Sequence, residues 1–216
     1  MTDLVLSPQS LLLGGLTGYM IGSIPFAYIV TKRRTGMDIR KYGTGNVGAA
    51  NTLQVTGQRT IARTVLVLDM LKGFLPVAVF ELLGLSAPLV VLLPALILGH
   101  CYPVWLGFRG GRGLATATGA LLLVNPGAVF LWCVTYMIGK RIKPDIRFAS
   151  ILATGLALAV VLGLPADFLG RTTLPFSGLS DHGTQVFLSL SVVLLIILSR
   201  HIGPFLELIG VRNSGE

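Results

Sequence analysis

Glycine and small polar residues are concentrated between residues 38 and 51. Gly43, Gly45 and Gly48 have the G-x-G-x-x-G spacing of a dinucleotide-binding turn, but such a turn follows a β-strand, and here an apolar stretch of helical length comes first. Because glycines also let backbone N–H groups converge on an anion at the start of a helix, we expect a phosphate-binding loop. We assign to this loop Gly43, Thr44, Gly45, Asn46 and Gly48, with Arg40 and Lys41 as nearby charges. A tight interhelical turn with asparagine caps is the alternative.

A second glycine-rich segment lies at residues 107–113 and contains four glycines and two arginines. Arginine binds phosphate bidentately, and adjacent glycines let the backbone approach a ligand closely. The alternative is a membrane anchor, which would need the arginines but not this density of glycine. The Walker spacing of a nucleotide-binding loop is absent from the segment. The candidate phosphate ligands are Gly110, Gly111, Arg112 and Gly113.

Ionisable residues also lie inside apolar segments or at their ends. Asp69 and Lys72 are three residues apart and share one helix face, so we expect an internal ion pair, with direct ligand binding as the alternative. His100 ends an apolar segment, and a structural or capping role fits it better than that of a base. His201 follows the last apolar segment, where anchoring at the interface and general-base chemistry are both open. The two cysteines lack metal-ligand spacing, and no metal site is predicted.

The composition indicates that a membrane protein holds these residues. Of the 216 residues, 53% are hydrophobic and 12% are charged, and the mean hydropathy is +0.79; a soluble domain has about 25% charged residues. The 17 Lys and Arg residues outnumber the 9 Asp and Glu residues. These basic residues lie in short clusters between apolar segments, which is typical of a membrane orientation signal. We therefore predict no nucleic-acid partner. Because the first apolar segment lacks the basic leader of a secretory signal, we expect it to be retained as a helix.

Seven apolar segments are candidates to cross a bilayer, whose core of about 30 Å needs roughly 20 helical residues. Asn125, Pro126 and Gly127 interrupt one long stretch, and proline clashes with a preceding helical turn. We therefore predict two short spans there, with a single kinked helix as the alternative. The predicted spans cover residues 9–31, 64–83, 88–106, 114–124, 126–138, 148–164 and 184–199.

The distribution of charge predicts the orientation. With the N-terminus outside, seven spans place 15 of the 17 Lys and Arg residues on the inner side, because only Arg171 falls outside and Lys72 lies within a span. Six spans would move a basic cluster to the outer side. No internal repeat is visible. We predict an all-α integral membrane protein with one domain over residues 1–216, seven transmembrane helices, an outside N-terminus and a cytoplasmic C-terminus.

In combination, these motifs resemble the bacterial acyl-phosphate:glycerol-3-phosphate acyltransferase family. The resemblance covers most of the chain and rests on residues 23–26, 38–40, 43–49, 72–73, 99–100 and 110–113, with Asp69. It implies a seven-helix enzyme of the bacterial inner membrane. Such an enzyme transfers a fatty acyl group from acyl phosphate to the primary hydroxyl of glycerol 3-phosphate, which gives lysophosphatidic acid and phosphate for phospholipid synthesis, without a cofactor.

The resemblance also implies residue roles. The acyl phosphate would contact Gly43, Thr44, Gly45, Asn46 and Gly48. Glycerol 3-phosphate would contact Gly110, Gly111, Arg112, Gly113 and Asn51. The catalytic residues would be His201, Thr44 and Arg112, and the residues that support the site would be Arg40, Asp69, Lys72 and His100. Departures from the usual pattern are Thr44 for serine, Arg112 for lysine, Ala50 for threonine, Gln54 for arginine, Arg147 for serine and Pro204 for asparagine. Because proline has no side-chain amide, another group must supply any hydrogen bonds of that asparagine.

Two other functions are consistent with the sequence. The departures at Gln54, Arg147 and Pro204 would suit a non-catalytic membrane protein that binds phosphorylated lipid or organises lipid-synthesis enzymes. A small-anion transporter would need polar residues throughout its spans, and apart from Asp69 and Lys72 these are few. Membrane lipid is an expected partner, and other enzymes of lipid synthesis are further candidates.

Overall fold

The computed structural model describes residues 7–174 and 183–208, and helices are the only regular secondary structure in these two ranges. The prediction of an all-α fold is confirmed. Two short 3-10 helices, Ile39–Lys41 and Val104–Leu106, lie in the loops. The α-helices in chain order are α1 (Pro8–Gly22), α2 (Phe26–Thr35), α3 (Ala49–Thr56), α4 (Arg59–Leu82), α5 (Ser86–Cys101), α6 (Leu114–Val124), α7 (Pro126–Ile142), α8 (Ile146–Gly163), α9 (Ala166–Arg171), α10 (Gly183–Ser199) and α11 (Ile202–Leu208).

Helix α5 is at the centre of the bundle and packs against α1, α4, α6 and α10. Its Leu92, Leu96 and Ile97 side chains are fully buried. Helix α1 approaches α5 through glycines: a side chain at Gly18 would lie 2.7 Å from the carbonyl oxygen of Leu92, and one at Gly22 would overlap the backbone of Leu96. The small residues of α1 therefore allow the close packing that the apolar core of α5 requires.

The first apolar segment is not one continuous helix. Helix α1 ends at Gly22 and α2 begins at Phe26, so the helix predicted over residues 9–31 is interrupted, although Pro8–Thr35 as a whole is long and apolar enough to cross a membrane. Pro25 has no N–H and its ring clashes with a preceding helical turn, which explains the break. The carbonyl oxygen of Ile24 accepts a hydrogen bond of 2.9 Å from Nζ of Lys72 on α4. The break therefore gives a buried cation a backbone partner.

The predicted break after residue 124 is confirmed, and the alternative of a single kinked helix is wrong. Asn125 separates α6 from α7 and is 3% exposed. Its Oδ1 atom accepts the backbone N–H of Ala128 at 2.9 Å, and its Nδ2 donates to Oγ1 of Thr172 at 3.0 Å. One side chain thus caps α7 and connects it to the segment after α9.

Several helices are suited to a membrane. By length and composition, three of the described segments could cross one: Pro8–Thr35, Leu89–Leu106 and Ile146–Gly163; Leu114–Val124 and Gly183–Ser199 are shorter apolar helices. Large apolar side chains also face outward, including Leu12, Leu82 and Phe130, which are 62%, 86% and 71% exposed. A helical surface of this kind suits lipid better than water.

Candidate active site

The buried side chain of Asn51 shapes the first glycine-rich loop. Its Oδ1 atom accepts the backbone N–H of Thr44 at 2.9 Å, and its Nδ2 donates to the carbonyl oxygens of Ile39 and Tyr42, both at 3.2 Å. Gly43, which lies against this amide, has a φ of 60°. Both amide hydrogens of Asn51 are therefore used inside the loop. These contacts give Asn51 a role in holding the loop in shape, whereas its contact with glycerol 3-phosphate stays a prediction.

The other candidate ligands of the first loop are more accessible. Thr44 is exposed, and the backbone N–H of Asn46 reaches its Oγ1 atom at 3.4 Å. Helix α3 begins directly after Gly48, so the positive end of its dipole faces the loop. Arg40, in contrast, forms two hydrogen bonds with Asp38, of 3.0 and 2.7 Å, which lower the pKa of that carboxyl to about 2. Arg40 is thus committed to a neighbouring carboxylate, as a supporting residue would be.

The second glycine-rich loop folds back on the end of α5, where Arg200 holds it. The N–H groups of Gly110 and Gly111 donate to the carbonyl oxygens of Cys101 and His100 at 3.1 and 3.0 Å. Arg200 donates from Nε and Nη2 to the carbonyl oxygens of Gly111 and Gly110, both at 3.1 Å. A side chain at Gly111 would overlap the His100 ring, so this position needs glycine. From the sequence, Arg200 was predicted only to be one of the basic residues on the inner side of the membrane. No sequence motif connects it to a loop that lies 89 residues away.

The two glycine-rich loops touch each other. A side chain at Gly111 would lie 2.7 Å from the carbonyl oxygen of Val47, which belongs to the first loop and is buried. The sequence predicted two separate phosphate-binding loops. Their contact places both at the same end of the helical bundle, where two phosphorylated groups could lie side by side.

The predicted internal ion pair lies behind these loops. Nζ of Lys72 is 2.9 Å from Oδ1 of Asp69, and each side chain is 3% exposed. Nδ1 of His100 is 3.1 Å from Oγ1 of Thr116 and 3.7 Å from Oδ1 of Asp69. These contacts connect α4, α5 and α6 beneath the Gly111 backbone, which is consistent with the supporting roles predicted for Asp69, Lys72 and His100.

His201 presents one unpartnered nitrogen to the same end of the bundle. Its ring is 1% exposed, and Nδ1 is 2.8 Å from the carbonyl oxygen of Ile197. Because a carbonyl only accepts, Nδ1 carries the hydrogen and Nε2 has the lone pair. Nε2 is buried without a hydrogen-bond partner in the described ranges. Burial lowers the pKa of His201, and the charges of Arg112 and Arg200 add to this, against the Ile197 hydrogen bond that raises it.

Arg112 has a guanidinium group that is available to bind a ligand. Among residues 7–174 and 183–208, no hydrogen bond or ion pair joins its guanidinium to another residue. Burial lowers the pKa of Arg112, as do the nearby charges of Arg147 and Arg200, whereas Glu207 and Asp145 raise it. A half-buried guanidinium with no direct carboxylate partner is well suited to bind an anion.

An apolar groove begins beside the first loop. Val47 lines a small cavity together with Ile24, Phe26 and Lys72, and the last three also line a groove of about 420 Å³ between α1 and α4. Leu71, Leu75 and Val79 continue the groove along α4. A second apolar cavity, of about 270 Å³, lies among α6, α7, α8, α9 and α10. The first loop therefore leads directly to an apolar surface.

Comparison with known proteins shows a likeness over most of the chain. The sequence model of a family described as glycerol-3-phosphate acyltransferase matches residues 12–209. A relative with this name from Gluconobacter oxydans (strain 621H) is 38% identical over 94% of this chain and 91% of its own length. Another from Helicobacter pylori (strain ATCC 700392 / 26695) is 35% identical over 92% and 91%.

A solved structure agrees with these relatives. The fold is similar to a crystal structure of PlsY (YgiH), described as an integral membrane glycerol 3-phosphate acyltransferase in its glycerol 3-phosphate form. The TM-score is 0.74, with 30% sequence identity and 94% of each chain covered. The lysophosphatidic acid form of the same protein gives a TM-score of 0.72. Because sequence and fold agree over nearly the full length, this chain belongs to the glycerol-3-phosphate acyltransferase family.

Proposed function

We propose that this protein transfers a fatty acyl group from acyl phosphate to the primary hydroxyl of glycerol 3-phosphate, giving lysophosphatidic acid and phosphate in phospholipid synthesis. The observation that carries the proposal is the contact of the two glycine-rich loops at Val47 and Gly111, beside Arg112 and the unpartnered Nε2 of His201. Both substrates carry phosphate, which suits two adjacent loops. The names of the relatives support the same activity.

The acyl phosphate binds, in this proposal, to the first loop. The Thr44 hydroxyl, the Asn46 amide and the N-terminus of α3 offer hydrogen-bond donors to its phosphate. Gly43, Gly45 and Gly48 let the backbone approach the phosphate oxygens. The acyl chain extends from Val47 into the groove between α1 and α4, whose lining is mostly apolar.

Glycerol 3-phosphate binds to the second loop. Arg112 contacts its phosphate, and the backbone at Gly110, Gly111 and Gly113 provides room for close approach. The primary hydroxyl then lies between the donor carbonyl group and Nε2 of His201. Holding both substrates in this way converts a bimolecular reaction into one between neighbours, for which effective molarities reach about 10⁵ M or more.

The transfer proceeds without a covalent enzyme intermediate. The hydroxyl oxygen attacks the carbonyl carbon, the new ester C–O bond forms, and the bond from that carbon to the phosphate oxygen breaks. The hydroxyl proton passes to Nε2 of His201 or to the leaving phosphate, and either route balances the reaction. Acyl phosphate is already activated, so positioning and charge stabilisation are the main tasks of the protein.

We further propose that the site faces the cytoplasm of a bacterial inner membrane. In this proposal the seven spans correspond to α1 with α2, α4, α5, α6, α7, α8 and α10, and alternation of these spans would put both glycine-rich loops and the start of α8 on one side. The contact between Val47 and Gly111 supports this. Arg212, which the charge count placed inside, lies outside the described residues. Topology reporters fused after Lys41, Arg112 and Lys143 should all read cytoplasmic, and one external reading contradicts seven spans.

The activity itself can be measured directly. Purified protein in detergent or lipid is supplied with palmitoyl phosphate and glycerol 3-phosphate, and lysophosphatidic acid and released phosphate are quantified. We expect equal amounts of both products above a no-protein control. Binding of glycerol 3-phosphate without any turnover, in several lipids, would favour a non-catalytic phospholipid-binding protein.

A further inference from the structure

The segment between α5 and α6 exposes three large apolar side chains just before the second glycine-rich loop. Val104, Trp105 and Phe108 are 44%, 58% and 57% exposed. Phe108 is also the only non-glycine residue of the described ranges, 7–174 and 183–208, that has a positive φ, of 62°. This conformation is strained for a bulky residue, and such strain is concentrated at functional positions. The exposed rings and the strain together indicate a contact surface.

The backbone of this segment is held firmly while its rings face outward. The backbone N–H groups of Leu106 and Phe108 both donate to the carbonyl oxygen of Pro103, at 3.2 and 3.0 Å. The Leu106 side chain is 7% exposed and belongs to a buried apolar cluster that includes Ala27 of α2 and Val47 of the first loop. The segment is therefore anchored to the bundle through Leu106, and its two aromatic rings are presented outward on a fixed turn.

Helix α2 indicates the depth of this segment in a membrane. Pro103 lines a small cavity together with Phe26, the first residue of α2. The last turn of α2 carries three exposed cations, Lys32, Arg33 and Arg34. At 1.5 Å per residue, the last of them lies about 12 Å along the helix from Phe26. Where these cations lie among lipid headgroups, the segment packed at the beginning of α2 lies deeper, at the level where aromatic side chains collect in membrane proteins.

We propose that Trp105 and Phe108 insert into the boundary between the headgroups and acyl chains of an anionic phospholipid membrane, and so hold the second glycine-rich loop at the lipid surface. The Trp105 ring suits this boundary because its apolar body can lie among acyl chains while its N–H donates to a headgroup. The cations at the end of α2 complement an anionic lipid. This proposal does not depend on the acyl transfer. The competing account is a surface in water to which a soluble protein binds.

Trp105 can report its own surroundings, because the chain has two tryptophans, Trp105 and Trp132. The variant Trp132→Phe leaves Trp105 as the single emitter. It is reconstituted without substrates into bilayers of phosphatidylcholine and phosphatidylglycerol, whose acyl chains carry bromine either near the carboxyl end or near the middle. We expect bromine near the carboxyl end to quench the Trp105 emission more strongly than bromine near the middle, and aqueous acrylamide to quench it weakly. If Trp132→Phe does not fold, the difference between wild type and Trp105→Phe gives the same emission.

Two outcomes of this measurement would overturn the proposal. Strong quenching by acrylamide, with none by either brominated lipid, would place Trp105 in water and favour a surface for a soluble protein. Stronger quenching by bromine near the middle of the acyl chains would place the ring in the hydrocarbon core and not at the boundary. Quenching in the expected order by a protein without turnover supports the membrane contact and contradicts only the acyl transfer.

The variant Phe108→Asn, made together with Trp132→Phe, tests the second ring. Asparagine tolerates a positive φ, so the turn is kept while the ring is lost. Burial of such a ring corresponds to roughly a ten- to hundredfold factor in an equilibrium constant. We therefore expect weaker quenching of Trp105 by brominated lipid, stronger quenching by acrylamide, and no decrease in Tm.

Phe168→Asn is the matched control for the loss of a phenylalanine ring. Phe168 is 50% exposed on α9, which lies beside the opposite end of α6, where Asn125 donates to Thr172. This variant should leave the quenching of Trp105 unchanged. A lower Tm in Phe108→Asn with unchanged quenching would show that the Phe108 ring packs only against the protein, and would contradict its insertion into the membrane.

Discussion

His201 donates its Nδ1 hydrogen to the carbonyl oxygen of Ile197 at 2.8 Å, across the last turn of α10. This single hydrogen bond selects the tautomer, because it leaves the lone pair on Nε2. Nε2 is buried and has no partner in the described ranges, so it is available to accept a hydrogen bond or a proton from a substrate hydroxyl. The Nδ1 contact suits the predicted anchoring role, whereas the role of general base, which would fall to Nε2, stays a prediction.

Replacement of His201 by asparagine removes the imidazole lone pair that would accept the proton. If His201 is the general base, kcat should fall about 10²- to 10⁴-fold with little change in either KM, as is usual for loss of such a group. Steady-state kinetics in both substrates measure this. A decrease of less than tenfold would mean that the leaving phosphate takes the proton.

The pH dependence of kcat provides a second test of His201. Because burial and nearby cations lower its pKa below 6.5, the neutral form persists at pH values below 6.5, and kcat should fall only as the pH drops through that lowered pKa. Phosphate groups titrate near pH 6 as well, so the same profile measured on His201→Asn serves as the control. An acidic limb at or above pH 6.5 would contradict the assignment.

Arg112→Ala should raise the glycerol 3-phosphate KM about ten- to hundredfold, because it removes a charged hydrogen-bond donor to phosphate. Arg109→Ala is the matched control, since Arg109 is an exposed arginine of the same loop. Arg112→Lys keeps the charge and should lose less affinity than alanine. An unchanged acceptor KM in Arg112→Ala would remove this residue from the site.

Asn51→Asp tests the internal support of the first loop. The carboxylate can still accept the N–H of Thr44, but it cannot donate to the carbonyl oxygens of Ile39 and Tyr42, which then face a negative charge in a buried position. We expect a loss of about 1–3 kcal/mol in the free energy of unfolding for the unmade hydrogen bonds, and a raised palmitoyl phosphate KM. The control is Gln54→Ala, at an exposed position of α3. A change in the glycerol 3-phosphate KM alone would instead support the predicted contact of Asn51 with the acceptor.

Leu75→Trp tests the position of the acyl chain. Leu75 lines the groove between α1 and α4 and is 53% exposed, so a larger ring can be placed there without disturbing the core. We expect kcat/KM for palmitoyl phosphate to fall relative to that for a shorter acyl phosphate. Leu162→Trp, at an exposed position of α8 outside both apolar cavities, is the control. Equal chain-length preference in both variants would place the acyl chain elsewhere.

The two proline-associated breaks show how far local sequence signals extend. Pro126 is flanked by Asn125 and Gly127, and this polar turn predicted the boundary between α6 and α7 correctly. Pro25 follows an apolar stretch without a comparable turn, and the segment was interpreted as one helix. Its break is stabilised by Lys72, 48 residues away, which donates to the carbonyl oxygen of Ile24. That partner is visible only once α4 packs beside α1.

Sequence alone determined the all-α architecture, the affinity for a membrane and the two glycine-rich loops, because composition, the lengths of apolar segments and glycine spacing are local properties of the chain. Only the tertiary structure decided that the loops touch, that Asn51 supports the first of them, that Arg200 holds the second, and that Arg147 pairs with Glu207. These relationships join residues as far as 90 positions apart. Their geometry depends on how the helices pack, and no periodicity in the chain encodes which distant cation meets which carbonyl or carboxylate.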